Sequence, residues 1–131
     1  IPENVRKFDC SRNKLRSLPK LPVVEILICF DNKLKSLPDD LSKIIELDCS
    51  DNKLNTLPNL PNIIELNCAN NKLSILPPLP KVKILNCSRN QLIRLNNLPN
   101  VTNLICPKNQ LISLPNDLPK ITVLVCSYNK K

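Results

Sequence analysis

The sequence predicts a repeat solenoid of about seven short coils, with little or no helix. The skeleton LxCxxNxLxxLPxL recurs along the chain, and consecutive cysteines are 19 or 20 residues apart. An asparagine follows each cysteine at the third position. A period this regular is typical of a protein in which each unit buries its apolar face only against its neighbours. The pairs are Cys10/Asn13, Cys29/Asn32, Cys49/Asn52, Cys68/Asn71, Cys87/Asn90, Cys106/Asn109 and Cys126/Asn129.

Each unit should begin with a short β-strand that has one buried face. We count the first aliphatic residue of a unit as position 1. Position 4 is then always Leu or Phe and position 6 is always Cys, whereas positions 3, 5 and 7 vary. Successive side chains point to opposite faces of a strand, so positions 4 and 6 should point into the core. The units begin at Val5, Val24, Ile44, Ile63, Val82, Val101 and Ile121.

The return half of each unit should be extended rather than helical. Leu-Pro pairs such as Leu57-Pro58 and Leu76-Pro77 recur in it. Proline restricts its own φ and disfavours helical backbone at the preceding residue. Polyproline-like backbone also covers distance with few residues. We therefore expect a thin rod with a parallel sheet on one side and extended segments on the other.

The pattern LxxLxCxxNxLxxLPxLP, which runs from residue 2 to residue 129, resembles leucine-rich repeats of the short bacterial type. Similar repeats occur in effector proteins that bacterial pathogens inject into host cells, and in giant viruses. The sequence departs from that family by placing cysteine where an aliphatic residue is usual. The fifth unit also departs, because Leu95-Asn96-Asn97-Leu98 replaces the Leu-Pro step.

The resemblance implies an α/β-class solenoid that is effectively β, with the parallel sheet on its concave face and polyproline-like segments on its convex face. It also implies a non-enzymatic module that binds a protein partner on the concave strand face. Some members of the resembling bacterial family carry a ubiquitin ligase domain after the repeats. An alternative is therefore the substrate-recognition part of a larger protein. An effector or viral protein of this kind implies a cytoplasmic location, in the host cell.

The two ends of the chain suggest a fragment. The chain contains no methionine, begins at Ile1 without a leader-like segment, and stops in mid-unit after Asn129. Solenoids need capping units with a polar outer face. We therefore expect residues 1–131 to form one domain that lacks its caps, with end-to-end self-association as one consequence. No apolar run approaches membrane-spanning length, so we expect no membrane partner.

The seven cysteines admit three interpretations. Metal ligands must converge on one point, and the chain has neither a CxxC motif nor a histidine, so we expect no metal. Disulfides between stacked strands would have poor geometry, and the number of cysteines is odd. Buried free cysteine behaves as a small hydrophobic residue, and packing is the interpretation that we favour. Thiols that stay reduced also favour a cytosolic compartment.

The asparagines should stabilise the turns. The chain has no glycine, so turns that need positive φ should use Asn or Asp, the most tolerant of the other residues. An inward Asn side chain in the turn can also bond unpaired backbone groups of its own coil and of the next one. We predict that Asn71→Ala destabilises the fold without altering binding.

Function should be located on the strand face, which we define as positions 3, 5, 7 and 8 of the units. The second unit places apolar residues there, and the third and fourth units place acidic residues beside them. Apolar anchors next to charge are typical of protein-binding patches, although chance β-propensity is an alternative explanation. The candidate partner-binding residues are Ile26, Ile28, Phe30, Glu46, Asp48, Asp51, Glu65 and Asn67.

The net charge of +8 lies entirely in residues 66–131, where Asp117 is the one acidic residue. A lysine also follows the asparagine in five of the seven units. Binding of nucleic acid by this basic half is less favoured, because single strands usually require stacking aromatic side chains, and the strand face offers few. The chain has no histidine and no glycine-rich phosphate loop. We therefore expect neither catalysis nor a cofactor.

Overall fold

The computed structural model describes residues 1–129 as seven parallel strands in one sheet, in chain order. Lys130 and Lys131 lie outside the described residues. Lys130 is the last of the five lysines that follow the repeated asparagine. Residues 1–129 contain no helix, and the return segments have no strands. The predicted solenoid is confirmed. The strands are β1 (Lys7–Asp9), β2 (Ile26–Ile28), β3 (Glu46–Asp48), β4 (Glu65–Asn67), β5 (Ile84–Asn86), β6 (Asn103–Ile105) and β7 (Val123–Val125).

Equivalent positions of successive coils lie side by side. Glu46 pairs with Glu65, for example, and Asp48 pairs with Asn67. Each strand contacts only the strands before and after it. The second and sixth units, which have 20 residues, keep this register because their additional residue falls in the return segment, next to Asp40 in the second unit. Insertions there do not shift the strand face.

The strands are three residues long and stop one residue before the cysteine. The cysteine amide nevertheless continues the ladder: the Cys29 amide donates to the Asp48 carbonyl at 2.8 Å. One core contains the position-4 leucines, the cysteines of the central coils and the leucines of the return half. The burial of positions 4 and 6 is what the alternating pattern of the strands predicts. That core extends along the rod from Leu21 to Leu111.

The cysteines are packing residues. The five from Cys29 to Cys106 are fully buried, the two outer ones are half-buried, and all seven are free thiols. Burial disfavours the thiolate, and it raises the pKa of Cys68 to about 12 and that of Cys106 to about 11. A thiol with so high a pKa is a poor nucleophile at neutral pH. The prediction that these residues pack in the core is confirmed.

The asparagine column forms a hydrogen-bonded ladder. The Asn71 Nδ2 group donates to the Cys68 carbonyl at 3.2 Å and to the Cys49 carbonyl at 3.0 Å. Its Oδ1 accepts the Leu54 amide at 2.9 Å. The predicted structural role is confirmed, but the second set of partners lies in the preceding coil, not the next one. The direction follows from the geometry of the turn. The preceding coil presents two backbone groups to the Asn71 side chain, which are the Cys49 carbonyl and the Leu54 amide.

The positive-φ prediction is wrong in part. One residue per coil is left-handed, with φ between 54° and 59°, and it is always position 8, just before the ladder asparagine. Asp31, Asp51 and Asn70 are of the expected types, but the other four are basic or aromatic. The Arg89 amide donates to the Pro107 carbonyl at 3.0 Å, and equivalent bonds recur between coils. Because position 8 is left-handed in all seven coils, the geometry of the turn imposes this conformation whichever residue occupies it. The other four are Arg12, Arg89, Lys108 and Tyr128.

Membrane insertion through a helix finds no support in the part of the chain that the structure describes, since no helix there is long and apolar enough to cross a bilayer.

Candidate functional site

The strand face carries the eight predicted residues in three adjacent coils. Because the register is regular, Ile26, Glu46 and Glu65 lie in one row across β2, β3 and β4. Ile28, Asp48 and Asn67 form the next row. Phe30 and Asp51 lie just beyond the strand ends, at positions 7 and 8. The structure thus brings all eight residues into one patch, which we call the coil 2–4 patch; their role in binding a partner remains a prediction.

The apolar part of this patch belongs to the second coil. Ile26, Ile28 and Phe30 are half-buried, so each keeps part of its side chain accessible. The Arg12 guanidinium lies over the Phe30 ring, 5.5 Å from its centroid, which is within the range of a cation–π contact. These three side chains offer apolar surface without being part of the core.

The acidic part contains a like-charged pair. Glu46 and Glu65 are direct neighbours on parallel strands. Like charges placed opposite each other on a sheet are destabilising. The one ion pair among residues 1–129 joins Arg6 Nε to Glu25 Oε2 at 3.6 Å, outside the patch. The carboxylates of the patch are therefore not neutralised by an ion pair within the described residues.

Two of the predicted residues have a structural role that the sequence reasoning missed. Oδ1 of Asp48 accepts the Ser50 amide at 3.1 Å and the Ser50 hydroxyl at 2.7 Å. Oδ1 of Asn67 accepts the Ala69 amide at 3.1 Å. Short polar side chains commonly bond the backbone two residues further on in this way. The signal was present in the sequence, because Asp or Asn precedes Ser by two residues in three of the units.

The second coil lacks this stabilising contact. Ile28 occupies the position of Asp48, and its side chain has no oxygen to accept the amide of Phe30. In the sixth coil the equivalent Ile105 is matched by Pro107, which has no amide to satisfy. The second coil has no such compensation, and neither has the seventh, where Val125 precedes Ser127 by two residues. The Ile–x–Phe sequence of the second coil therefore gives up a hydrogen bond that most other coils make.

Other residues of this surface escaped the sequence reasoning. Ile84 continues the row of Ile26 and Glu65, and it is 40% exposed. At the rim, a shallow depression of about 540 Å³ is lined in part by Asp31, Asp51 and Asn70. Asn70 Nδ2 donates to Asp51 Oδ1 at 2.6 Å. Position 8 was not recognised as a site of special backbone geometry, and of these rim residues only Asp51 was among the predicted binding residues.

Residues 1–129 contain no group of three or more His, Cys, Asp or Glu side chains arranged to hold a metal ion. The patch itself is an open surface of strand side chains.

This fold and surface define the class of protein. The chain is a leucine-rich-repeat solenoid with short repeats, a fold that generally serves as a protein-interaction module. One solved structure that it resembles is that of YopM from Yersinia enterocolitica WA-314. The two structures agree with a TM-score of 0.86 and 34% sequence identity, over 90% of this chain and 27% of the YopM chain. The predicted resemblance to the short repeats of bacterial effectors is thereby confirmed.

A second solved structure, YopM from Yersinia pestis, described as a leucine-rich effector protein, is 24% identical with a TM-score of 0.49. That similarity covers 92% of this chain and 54% of the YopM chain. No protein-family profile and no curated protein matches the sequence. The chain spans 27% of the length of the first YopM.

Proposed function

We propose that this chain is a non-catalytic protein-interaction module and that the coil 2–4 patch binds its partner. The observation that carries the proposal is that two departures from a stable strand face lie side by side. The second coil replaces a hydrogen-bonding Asp or Asn with Ile28, and β3 and β4 align Glu46 with Glu65. Each departure costs stability, and neither is needed by the core or by the turns.

Binding explains both departures. Half-buried apolar side chains such as Ile26 and Phe30 gain from being covered, since removing apolar surface from water is favourable. Carboxylates around such anchors supply specificity, because a partner must offer complementary charge. The three coils also provide a contiguous area, as their strands pair directly in sequence.

A display experiment tests the proposal. The purified chain is immobilised and exposed to a phage library of folded domains and peptides, and the selected binders are measured against variants. We expect Ile26→Ser/Phe30→Ser to weaken the selected binders by at least about tenfold, equivalent to about 1.4 kcal/mol. Thermal melts of the same variant establish that the solenoid still folds.

A matched control is available on another surface. Ile75 and Ile112 are 59% and 61% exposed and lie outside the strand face, after the ladder asparagines of their coils. Ile75→Ser/Ile112→Ser removes two exposed isoleucines and should leave the selected binders unaffected. Binders that respond to this control pair and not to the Ile26/Phe30 pair would refute the proposed site.

A further inference from the structure

We infer that the partner presents a basic, aliphatic-rich protein segment, whose Lys or Arg side chains lie against Glu46, Glu65 and Asp51. This inference rests on the proposed function and specifies the chemistry of the partner. It combines the apolar surface of the second coil with the charge that surrounds it, and neither feature alone would identify the partner.

The charge of the patch is opposite to that of the protein. The chain carries a net charge of +8, yet the strand-face positions of coils 2 to 4 contain no Lys or Arg. They contain five carboxylates, which are Asp31, Glu46, Asp48, Asp51 and Glu65. Local charge of one sign on a protein of the other sign favours a partner segment of the complementary charge.

The paired glutamates favour a direct contact rather than a diffuse field. Glu46 and Glu65 occupy the same strand-face position on neighbouring strands, which pair at a spacing of about 4.8 Å. One Lys or Arg side chain of a partner can therefore approach both carboxylates at once. Such a contact removes the repulsion between them, and Arg can bond carboxylates through several N–H groups.

Basic residues of the chain itself delimit the region where the partner's positive charge can lie. At position 8, Arg12 precedes the acidic coils and Arg89 follows them. Along the rim, the exposed Lys33 and Lys53 lie at position 10, beyond the ladder asparagines. A Lys or Arg placed beside these residues would meet like charge, and Asp9, the one acidic strand-face residue of the first coil, lies between Lys7 and Arg12. This arrangement fixes where along the rod a basic segment docks.

The apolar side chains define the remainder of the segment. Ile26 lies directly before the glutamate pair in its row, and Ile84 lies directly after it. Ile28 lies beside Asp48 in the second row. A segment whose charge reaches the glutamates therefore has aliphatic surface on both sides, which favours aliphatic residues next to the basic ones.

Three synthetic peptides test the inference. Each has nine residues and a fluorescein label, and they repeat Lys-Ile-Ser, Gln-Ile-Ser or Glu-Ile-Ser. We expect the lysine peptide to bind at least about tenfold more tightly than the other two by fluorescence anisotropy at low salt. The preference should shrink as the salt concentration rises, because ions screen charges at an exposed surface. Equal binding of the three peptides would overturn the inference.

Variants locate the effect. Glu46→Gln/Glu65→Gln should abolish the preference for the lysine peptide. The control, Asp39→Asn/Asp117→Asn, removes the same amount of charge from exposed return-segment positions and should retain the preference. A preference that persists in the glutamine variant, or is lost equally in the control, would show that the glutamate pair does not set the preference, and it would overturn the inference.

The experiments also separate this inference from the proposed function. Displayed binders that require Ile26 and Phe30, lack enrichment in Lys and Arg, and tolerate Glu46→Gln/Glu65→Gln would retain the proposed site and overturn the basic partner. Sedimentation of the chain over a range of concentrations tests whether a second copy of the chain, and not another protein, occupies the patch. Self-association that Ile26→Ser/Phe30→Ser abolishes would mean that a second copy covers the patch, and it too would overturn the inference.

Discussion

A single asparagine in each coil performs several structural tasks. From the second coil to the seventh, its amide nitrogen donates to carbonyls of its own and the preceding coil, and its oxygen accepts an amide of the preceding coil, so one side chain satisfies groups that the turn leaves unpaired. No described buried side-chain nitrogen or oxygen lacks a hydrogen-bond partner. The residue therefore recurs for the sake of stability, and it carries no information about function.

Asn71→Ala should destabilise the solenoid by about 1–3 kcal/mol, because the buried Leu54 amide would lose its acceptor and the Cys49 carbonyl would keep only its bond from Asn52. Chemical denaturation measures the change. Binders selected on the wild-type chain should keep their affinity, since Asn71 lies outside the coil 2–4 patch. An unchanged unfolding midpoint would contradict the structural role assigned here.

Asp40 provides a prediction about pH. Hydrogen bonds from the Ser42 hydroxyl and amide, at 2.9 and 3.3 Å, lower the pKa of this exposed carboxyl below its usual value of 3.8. A lowered pKa stabilises the fold above the unfolded-state value, and the contribution is lost as the pH falls through the folded-state pKa. Ser42→Ala should raise the pKa of Asp40, as followed by NMR titration. Ser113→Ala, a control in the sixth coil, should leave that pKa unchanged.

At the scale of the coil, position 8 has a left-handed backbone conformation even where its residue type makes that conformation unfavourable. Arg89 adopts a φ of 54° although left-handed backbone costs an ordinary residue roughly 1–2 kcal/mol. The hydrogen bond of its amide to the next coil and the adjacent asparagine ladder hold it there. This is a cost imposed by the repeat, because glycine is absent from the chain.

Arg89→Val and Arg89→Asn separate backbone strain from charge. Both substitutions remove the same positive charge, but valine is β-branched and poorly suited to positive φ, whereas asparagine tolerates it. We expect the valine variant to unfold at a lower denaturant concentration than the asparagine variant, by about 1–2 kcal/mol. Equal stability of the two would mean that position 8 relaxes to another conformation.

At the scale of the molecule, the rod is a sum of neighbouring contacts. Strand contacts join only consecutive coils, so the fold has no long-range closure that fixes the number of coils. The proposed patch occupies three coils. The other coils contribute to it chiefly because the adjacent ones pair with its two outer strands. The later coils carry the excess of positive charge.

Deletion of residues 81–99, one whole repeat, should leave a folded solenoid with a shorter sheet. The dependence of unfolding free energy on denaturant should fall by about one seventh, since that slope scales with the surface exposed on unfolding. Binding of the lysine peptide should persist in weakened form, because coils 2 to 4 keep the glutamate pair whereas Ile84, the aliphatic residue beside it, is removed. Loss of the β-sheet circular dichroism signal would contradict the additive picture.

The sequence by itself determined the repeat, the inward and outward positions, and the roles of Leu66, Cys68 and Asn71. These follow from one chain's periodicity, because strand side chains alternate and every coil must bury the same positions. Only the tertiary structure decided that the Asn bonds reach the preceding coil, that position 8 is left-handed, and that Glu46 faces Glu65. Those features depend on which atoms of different coils become neighbours. The spacing of residues within one coil does not determine the distances between atoms of different coils.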